Sequence, residues 1–386
     1  MIIEKNRIMR VLWLGGLHSD RALLKRKAVN QAAVKWTRGL IGGLRENGID
    51  VFGLTHCYEQ AWPQGELFPG TQQDFEPGLD LSWCKYLNVP GFRELDLGWR
   101  YSRKIKQLIE QQNIDAMVCY NVLHPYHVKA MRVAKRMGIP CFPIILDGDD
   151  PRKDNWRWIL KATRDAAGIT FLSSWMARNY PGDLPVLQMD GGCSAWFGDE
   201  AQSRIEKNLI VYAGGLDHWR GLDFLVDVIK QLINPGYRFI ICGKCNQQEI
   251  HEKLGRDTRV DVKGFVSDQE LHEICLRASV FLNTRDPAIA DNILNFPSKI
   301  PNYLAYGKPV ISTWIDSLSE DYRKVLQVVD SDEPSAFAEQ VVRTLKWSET
   351  EQQSYIHQVR EWFLATRLWT LQARRFEKWM TRTCKC

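Results

Sequence analysis

Short apolar runs alternate with amphipathic segments along almost the whole chain, and each run has the length of one strand. Strands that alternate with helices predict βαβ units, in which a parallel sheet is buried between layers of helices. In the first half we predict a helix over about Arg26–Asn47 and strands at Arg10–Leu14, Val51–Leu54, Ala116–Tyr120, Pro140–Leu146 and Ile169–Leu172. The pattern restricts the chain to α/β folds.

The same pattern starts again after a polar stretch, Gly198–Asn208. A helix is predicted at Leu222–Ile233, and strands at Leu209–Ala213, Arg238–Cys242, Val260–Lys263, Val280–Asn283 and Pro309–Ser312. Each half opens with a strand and a double glycine, and 386 residues with 45% hydrophobic content can form two cores. We therefore predict two Rossmann-like domains, residues 1–200 and 201–365. The segment Thr350–Thr383 reads as one long helical stretch whose aromatic residues serve packing.

The charge and the cysteines narrow the class of protein further. A net charge of +5 is mildly basic, which suits phosphate-rich ligands or an anionic membrane and does not indicate a nucleic-acid partner. The first residues do not resemble a signal peptide, and no apolar stretch approaches the ~20 residues that span a bilayer. Ten irregularly spaced cysteines then predict a cytoplasmic protein with reduced thiols. We interpret Cys242 and Cys245 as flanking a Gly-Lys turn, rather than as a redox or zinc pair.

Ligands of doubly wound sheets bind outside the carboxyl ends of the strands, so the loops at these ends are candidate sites. Gly15 and Gly16 follow the first strand, where they either let a ligand approach the backbone or form an ordinary tight turn. The fingerprint G-x-G-x-x-G is absent, so we expect no nicotinamide or flavin cofactor.

Two charged loops are candidates with open alternatives. Asp147, Asp149 and Asp150 suit a general base, an acceptor for sugar hydroxyls or a metal site, and equally an acidic turn that caps a helix. Arg220, just before the predicted helix at Leu222, either binds a diphosphate through two hydrogen bonds or is a solvated surface side chain.

The segment Asn295–Thr313, NFPSKIPNYLAYGKPVIST, predicts a helix with clear signals at both ends. Pro297 suits the first turn, and the N–H groups near Ser298 and Lys299 would point at an anion to which Lys299 adds a full charge. Gly307 ends the helix before the next strand. The segment therefore predicts a phosphate site at the helix start.

These residues resemble a known family. FPSK-x3-YLA-x-GKPVIST is similar to the donor-site motif of GT-B glycosyltransferases of the group 1, or family-4, type, including the variant found in bacterial polysaccharide-assembly enzymes. VYAGGLDHWRGLDFLVDVI and VDVKGFVSDQELHEICLRASVFLNTRDP resemble two further segments of that family. The resemblance is specific over about residues 185–315.

The resemblance implies two Rossmann-like domains that face each other across a cleft, with a C-terminal helix, residues 366–386, packing back towards the first domain. A nucleotide sugar would bind mostly to the second domain and the acceptor mostly to the first. The implied donor-binding residues are Gly15 and Gly16 near the phosphate, Arg220, Pro297, Ser298 and Lys299 at the diphosphate, and Gly264, Phe265 and Val266 at the base.

The sequence also departs from the family pattern. Gly215 replaces an arginine that contacts phosphate, and the paired glutamates fall on Leu294 and Asn302. Asn302 would bind a ribose hydroxyl, Asn292 or Asp291 the donor sugar, and the three aspartates at 147–150 stand where the family has a histidine.

These observations together predict a glycosyltransferase that uses a nucleotide-diphosphate sugar, UDP first. The resemblance further implies that the reaction retains configuration and needs no metal, and we expect no other cofactor. The catalytic candidates are Asp147, Asp149, Asp150, Arg220 and Lys299. The expected acceptor is a lipid-linked glycan at an anionic membrane, contacted through basic residues in Arg21–Arg38 and Arg100–Lys106 that otherwise form solvated helix faces. The alternatives are a non-catalytic subunit of the same fold and a nucleotide-sugar epimerase or hydrolase.

Overall fold

The computed structural model describes residues 8–18, 31–69, 79–122, 124–146, 151–154, 156–216, 221–287 and 289–384. The chain divides into two compact units. Unit 1 consists of Met1–Leu172, Met176–Gly191 and Trp369–Cys386, and unit 2 of Ser173–Trp175 and Gly192–Leu368. The C-terminal segment therefore belongs to the same unit as the first half of the chain.

Unit 1 is built on a seven-stranded parallel sheet in the order β3-β2-β1-β4-β5-β6-β7. Its strands are β1 (Arg10–Leu14), β2 (Asp50–His56), β3 (Asp80–Cys84), β4 (Ala116–Tyr120), β5 (Cys141–Ile145), β6 (Ile169–Phe171) and β7 (Val186–Gln188). Its helices are α1 (Gln31–Glu46), α2 (Arg93–Gln112), α3 (Pro125–Arg136), α4 (Pro151–Asp154), α5 (Arg157–Thr163) and, at the C-terminus, α15 (Trp369–Thr383). Helix α6 (Ser174–Asn179) has residues in both units.

Unit 2 repeats this plan with six parallel strands in the order β10-β9-β8-β11-β12-β13. Its strands are β8 (Leu209–Ala213), β9 (Arg238–Cys242), β10 (Val260–Gly264), β11 (Val280–Asn283), β12 (Val310–Thr313) and β13 (Gln327–Val329). Its helices are α7 (Gly198–Ser203), α8 (Leu222–Gln231), α9 (Gln247–Lys253), α10 (Asp268–Arg277), α11 (Ala290–Leu294), α12 (Lys299–Leu304), α13 (Pro334–Leu345) and α14 (Glu349–Thr366), with a 3-10 turn at Glu320–Lys324.

Both sheets reverse their strand order at the first strand of the unit. In unit 1 the strands β2 and β4 flank β1, and in unit 2 the strands β9 and β11 flank β8. Ligands of doubly wound sheets bind at the carboxyl ends next to such a switch point. The fold therefore selects the residues that follow β1 and β8 as the places to look for a site.

The predicted α/β class with parallel sheets is confirmed, and its details need two corrections. Sequence analysis did not predict β3, β7 and β13, whose residues are only partly buried. The predicted helix over Thr350–Thr383 is two helices, because Arg367 ends α14. The Arg367 side chain is buried, lies 4.4 Å from the Trp362 ring centroid and pairs with Asp321 at 2.7 Å.

Two glycines of α1 allow the C-terminal helix α15 to pack closely in unit 1. A Cβ atom placed at Gly39 would lie 2.1 Å from the Trp369 ring, and one at Gly43 would lie 2.4 Å from the Trp369 carbonyl oxygen. Trp36 adds an edge-to-face contact with Trp369 at 5.7 Å between ring centroids. The amide of Asn47 donates a hydrogen bond of 2.8 Å to the carbonyl oxygen of Thr370. Small residues in α1 thus position α15.

The substitution Gly39→Ala should lower the free energy of unfolding by about 1–2 kcal/mol, because overpacking against Trp369 exceeds the gain in helix propensity. Gly42 on the same helix is a matched control, since a Cβ placed there would have no neighbour within 4 Å. The substitution Gly42→Ala should raise the same free energy by about 0.5–1 kcal/mol. Urea unfolding followed by tryptophan fluorescence measures both. Equal stabilisation by the two substitutions would contradict the packing described.

Candidate functional site

In unit 2, three neighbouring strands end on glycines whose backbones are in close contact. The N–H of Gly214 donates to the Cys242 carbonyl oxygen at 2.9 Å, and that of Gly243 donates to the Gly264 carbonyl oxygen at 2.6 Å. A Cβ at Gly243 would lie 2.0 Å from the carbonyl oxygen of Gly214, so a side chain there would not fit. We call Gly214, Gly243 and Gly264 the glycine edge. Backbone rather than side chains therefore forms this edge beside the switch point.

The side chain of Lys299 lies across the first of these glycines. A Cβ at Gly214 would be 3.5 Å from Lys299 Cδ and 3.8 Å from Nζ. The Nζ atom also lies 3.6 Å from the ring centroid of Tyr212, a cation–π contact that holds the ammonium group in place. The structure therefore brings the predicted cation to the carboxyl end of β8, the position at which a doubly wound fold binds its ligand.

Helix α12, which carries Lys299, is fastened to β8 by one tyrosine. The hydroxyl of Tyr303 donates to the Ala213 carbonyl oxygen at 2.7 Å and accepts from the Ala213 N–H at 2.6 Å. Its ring stacks on Phe281 with 4.3 Å between centroids. Because Tyr303 and Lys299 are four residues apart on one helix, these contacts also fix the position of the Lys299 backbone.

The ends of α12 explain the rest of the motif. The helix begins at Lys299, so Pro297 precedes it instead of lying in its first turn, and Ser298 is the N-cap without a side-chain capping bond. The helix ends at Leu304 with Ala305 as its C-cap, so Gly307, which adopts φ 63°, closes the turn after the helix and is not its last residue. Lys308 is buried, and its Nζ donates to the Ala201 carbonyl oxygen at 2.7 Å. Lys299 at the helix start thus contacts the glycine edge, while Gly307 and Lys308 at the other end are structural.

The remaining donor-site candidates of unit 2 differ in their environments. Asn302 is exposed and donates to the carbonyl oxygen of Ser298 at 3.0 Å. Asn292 is 2% exposed and donates to the Asp286 carbonyl oxygen at 2.8 Å, which gives it a role inside unit 2. Gly215 accepts a hydrogen bond of 3.0 Å from the Tyr212 hydroxyl. These contacts leave the donor-binding roles of these residues as predictions.

The last two groups of predicted site residues are those that follow β10 and those that lie outside the described residues. Gly264 is followed by Phe265, which is 63% exposed, and by half-buried Val266. Arg220 and the three aspartates lie outside the described residues, so their roles stay predictions; the aspartates are Asp147, Asp149 and Asp150.

Cys242, the last residue of β9, is a buried core residue, and Cys245 is half-buried. Burial raises the pKa of the Cys242 thiol to about 11, so the thiol stays protonated at neutral pH. Among the described residues, the cysteines are free thiols and no cluster of metal-ligating side chains is present.

Sequence analysis missed a second site, a pocket in unit 1 beside the predicted glycines. Its walls come from the end of β2, the loop after it, the start of α2 and the start of α3. We call it the His–Tyr pocket; its lining residues are His56, Tyr58, Glu59, Tyr86, Arg93, Glu94, Leu97, His124 and Tyr126.

Stacked rings build the walls of the His–Tyr pocket. His56 stacks on Tyr58 at 4.2 Å, and His124 stacks on Tyr126 at 5.1 Å between ring centroids. The Nδ1 of His56 is 2.7 Å from the Tyr101 hydroxyl oxygen, which fixes the imidazole. Aromatic faces together with polar edges are the surface that binds a sugar ring, because the faces pack on C–H groups and the edges bind hydroxyls.

Glu94 provides a carboxylate at this pocket. Its Oε1 lies 3.5 Å from the Nδ1 of His124, and its Oε2 is buried without a hydrogen-bond partner among the described residues. A buried acceptor without a partner is unfavourable unless a ligand or water donates to it. The carboxylate is therefore placed to accept a hydrogen bond from a bound hydroxyl.

The predicted glycines of unit 1 lie against the same group of side chains. Gly15 and Gly16 have φ values of 83° and 69°, which favour glycine. A Cβ at Gly15 would lie 3.4 Å from the Nε2 of His127, and one at Gly16 would lie 2.6 Å from the Tyr120 ring. Gly16 also forms a backbone hydrogen bond with the hydroxyl of Tyr58. The tight turn is thus present and borders the pocket, while the approach of a ligand to these glycines stays a prediction.

His127 is the most unusual polar group near this turn. It is 1% exposed, and neither ring nitrogen has a hydrogen-bond partner among the described residues. Burial lowers the pKa of His127 to about 3, with a further contribution from His124. The imidazole is therefore neutral at physiological pH. The sequence did contain a signal, since His124 and His127 both follow β4 at the switch point.

Comparisons with known proteins agree with this geometry. Residues 207–346 match the family model described as glycosyl transferases group 1. The matched residues lie within unit 2. No match is found among curated proteins.

Solved structures match over nearly the whole chain, at low sequence identity. A glycosyltransferase from Rickettsia africae ESF-5 is 13% identical with a TM-score of 0.66, and the match covers 97% of this chain and 98% of that one. HepE of Anabaena, solved in complex with UDP and glucose, is 13% identical with a TM-score of 0.65, covering 97% and 100%. The lipopolysaccharide outer core galactosyltransferase WaaB is 14% identical with a TM-score of 0.65, covering 97% and 99%. The GT-B fold class and the predicted enzyme class, a glycosyltransferase, are confirmed.

The pKa of His127 predicts a loss of stability in acid. Because the folded-state pKa is about 3 and the ordinary value is 6.5, the unfolded chain takes up a proton below pH 6.5 while the folded protein does not. This contribution is fully present above pH 6.5 and is lost as the pH falls. It should amount to about 2 kcal/mol between about pH 7.5 and pH 5.

The substitution His127→Leu should reduce the acid loss of unfolding free energy by about that amount, measured by urea unfolding at each pH. His357→Leu, at a side chain that is 72% exposed, is the matched control and should keep the loss seen in the parent protein. A His127→Leu protein with the acid dependence of the parent would show that this imidazole is accessible to protons.

Proposed function

We propose that this glycosyltransferase takes a sugar from a nucleotide-diphosphate sugar, UDP first, and transfers it to a saccharide acceptor with retention of configuration. The observation that carries the proposal is Lys299 lying across Gly214 at the switch point of unit 2. HepE of Anabaena, which has the same fold, was solved with UDP and glucose, and this supports a uridine diphosphate donor. Retention and independence from a metal rest on the family resemblance.

The site offers a simple electrostatic mechanism for the leaving group. Breaking the bond between the sugar and the diphosphate leaves growing negative charge on the terminal phosphate oxygens. The ammonium of Lys299, held by Tyr212 and the Tyr303–Ala213 contacts, would stabilise this charge without having to reorganise. Gly214 has no side chain, so a phosphate can approach both the backbone and Lys299. Arg220 is proposed as the second cation.

The nucleoside base would lie at the other end of the glycine edge. Phe265 follows Gly264 and exposes 63% of its surface, an unusual exposure for an aromatic side chain. An exposed ring at the end of a strand can stack on a uracil ring, and stacking of this kind contributes about 1–3 kcal/mol per base. In this proposal the base and the diphosphate would lie along one edge of one sheet.

The His–Tyr pocket of unit 1 is proposed to bind the acceptor saccharide. Its stacked rings suit a sugar face, and Glu94 has a buried carboxylate oxygen that can accept from a sugar hydroxyl. In a retaining reaction of the family type, the leaving diphosphate itself takes the proton of the attacking hydroxyl. The pocket would then only have to orient that hydroxyl.

A lipid-linked acceptor at the inner face of the cytoplasmic membrane remains part of the proposal. Within the described residues, no helix combines the length and the apolar content that crossing a bilayer requires. Attachment would therefore involve the surface of the membrane, with basic residues such as those in Arg100–Lys106. The other predicted basic stretch, Arg21–Arg38, lies largely outside the described residues.

A non-catalytic subunit is the second candidate, because Leu294 and Asn302 replace the paired glutamates of the family. Leu294 is 1% exposed and apolar, so it can bind neither a hydroxyl nor a proton. Such a subunit would bind nucleotide without turnover.

A thermal-shift series with UDP, GDP and ADP tests the donor site. A nucleotide at about 100 times its dissociation constant adds about 2.7 kcal/mol of stability. We expect UDP to stabilise the parent protein and Lys299→Ala to lose most of this effect. Lys230→Ala is the matched control, since that lysine is an exposed residue of α8 in the same unit. If none of the three nucleotides raises the melting temperature, the donor site is wrong.

Turnover separates the two candidates. Release of UDP from UDP-sugars in the presence of a bacterial lipid extract would identify the enzyme. Stabilisation by UDP without any release, with or without the extract, would favour the non-catalytic subunit.

A further inference from the structure

Large apolar side chains are concentrated on one exposed surface of unit 1. Of the eleven exposed large hydrophobic residues in the described part of the chain, six lie in two short segments. We call this set the aromatic surface; its members, 37% to 68% exposed, are Trp62, Leu67, Phe68, Phe92, Leu95 and Trp99. Exposed aromatic side chains grouped in this way indicate an interaction surface.

The two segments form a single ordered structure. The N–H of Trp62 donates to the Asn88 carbonyl oxygen at 3.0 Å, and the N–H of Asn88 donates to the Leu67 carbonyl oxygen at 2.9 Å. The buried side chain of Asn88 donates to the carbonyl oxygens of Gln60 and Glu66 at 2.6 and 2.9 Å. The loop that carries Trp62, Leu67 and Phe68 is therefore fastened beside the start of α2. These hydrogen bonds fix the backbone of the loop while its large apolar side chains stay exposed to solvent.

Along α2 the exposed face changes from apolar to basic. Phe92, Leu95 and Trp99 are followed at the same helical spacing by exposed Arg103 and Lys106. The opposite face of the helix is buried and apolar, with Leu97, Tyr101, Ile105 and Leu108 among its members. Packing in unit 1 therefore accounts for one face of α2, and the outward face is apolar in its first turns and cationic after them.

Two acidic residues in the first turns of α2 are engaged inside unit 1, whereas exposed Glu110 follows Lys106 by one turn and exposed Glu66 precedes Leu67. Asp96 pairs with Arg100 at 2.8 Å and also accepts from the backbone N–H of Leu87 at 2.7 Å. Glu94 points to the His–Tyr pocket, where it contacts His124. The exposed apolar side chains of the aromatic surface and the exposed cations Arg103 and Lys106 match the two layers of an anionic lipid surface. Tryptophan and phenylalanine enter at the level of the headgroups, and arginine and lysine pair with lipid phosphates.

We propose that the aromatic surface docks on an anionic lipid bilayer and that Arg103 and Lys106 pair with its headgroups. The proposal rests on the proposed function, because it explains how a lipid-linked acceptor would reach the enzyme. Glu59, Arg93 and Glu94 line the His–Tyr pocket and belong to the same loop and helix as the aromatic surface. A saccharide anchored in the docked membrane would thus enter the pocket directly.

Co-sedimentation with vesicles of phosphatidylglycerol and of phosphatidylcholine tests the apolar half. The parent protein should bind phosphatidylglycerol vesicles and leave phosphatidylcholine vesicles largely unbound. The double variant Leu95→Ser, Trp99→Ser should bind about tenfold more weakly, a factor that corresponds to about 1.4 kcal/mol. Ile233→Ser is the matched control, because Ile233 is 83% exposed but lies in unit 2. Unchanged binding by the double variant overturns the proposal.

Charge reversal tests the basic half. Arg103→Glu combined with Lys106→Glu should abolish the preference for phosphatidylglycerol, and raising the salt concentration should do the same to the parent protein. The control Lys230→Glu changes the same kind of charge on unit 2 and should keep the preference. A preference that survives reversal overturns the lipid assignment.

Two further measurements keep the outcomes distinct. All these variants should be stabilised by UDP to the same degree as the parent, because none of the changed residues lies at the glycine edge. A variant that loses vesicle binding but keeps normal UDP binding supports the docking surface. If UDP stabilises no protein but the vesicle results hold, the proposed donor fails and the surface stands. Analytical ultracentrifugation tests the alternative that a second copy of the chain binds the aromatic surface. A parent dimer that the Leu95→Ser, Trp99→Ser variant dissociates, without vesicle binding, would assign the surface to a second copy of the chain.

Discussion

The two hydrogen bonds between the Tyr303 hydroxyl and the backbone of Ala213 determine the geometry of the proposed donor site. They join a six-residue helix to the last residue of β8, although the two are ninety positions apart in the chain. A helix this short has little stability of its own, so it depends on tertiary contacts for its position. Once Tyr303 is fixed, Lys299 begins one turn earlier, and its side chain lies over Gly214 and Tyr212. The cation thus reaches the switch point through a structural tyrosine.

The same strand order serves different chemistry in the two units. Both sheets switch direction at their first strand, and both follow that strand with a pair of glycines. In unit 2 the glycines Gly243 and Gly264 lie at the ends of β9 and β10, so that among the described residues this edge consists of backbone and the cation Lys299. In unit 1 the neighbouring strand ends and helices supply histidine and tyrosine rings instead. A backbone edge with a cation suits an anionic diphosphate, whereas a ring-lined pocket suits a sugar face.

Much of this arrangement could be predicted from the sequence, and the failures have physical causes. Strands β1, β4, β8, β9 and β11 were predicted with their observed bounds, because strands buried on both faces read as continuous apolar runs. The strands that were missed, β3, β7 and β13, are partly exposed and therefore mix polar with apolar residues. The break at Arg367 was missed because it depends on burial of that side chain beside two aromatic rings. Tyr322 is distant in the sequence, and Trp362 lies on an earlier turn of α14.

By itself, the sequence determined the fold class, the repeat of two α/β units and the motif that carries Lys299. These features are local, since periodicity, glycine pairs and the ends of one helix can be read within about twenty residues. Only the tertiary structure decided that Lys299 lies over Gly214, and that side chains from β2, α2 and α3 form one pocket beside Gly15. The aromatic surface could likewise not be predicted from the sequence, because exposure of Phe92, Leu95 and Trp99 depends on which face of α2 packs into the core of unit 1. Contacts between distant segments follow from how the sheets and helices pack, and a local pattern does not contain that information.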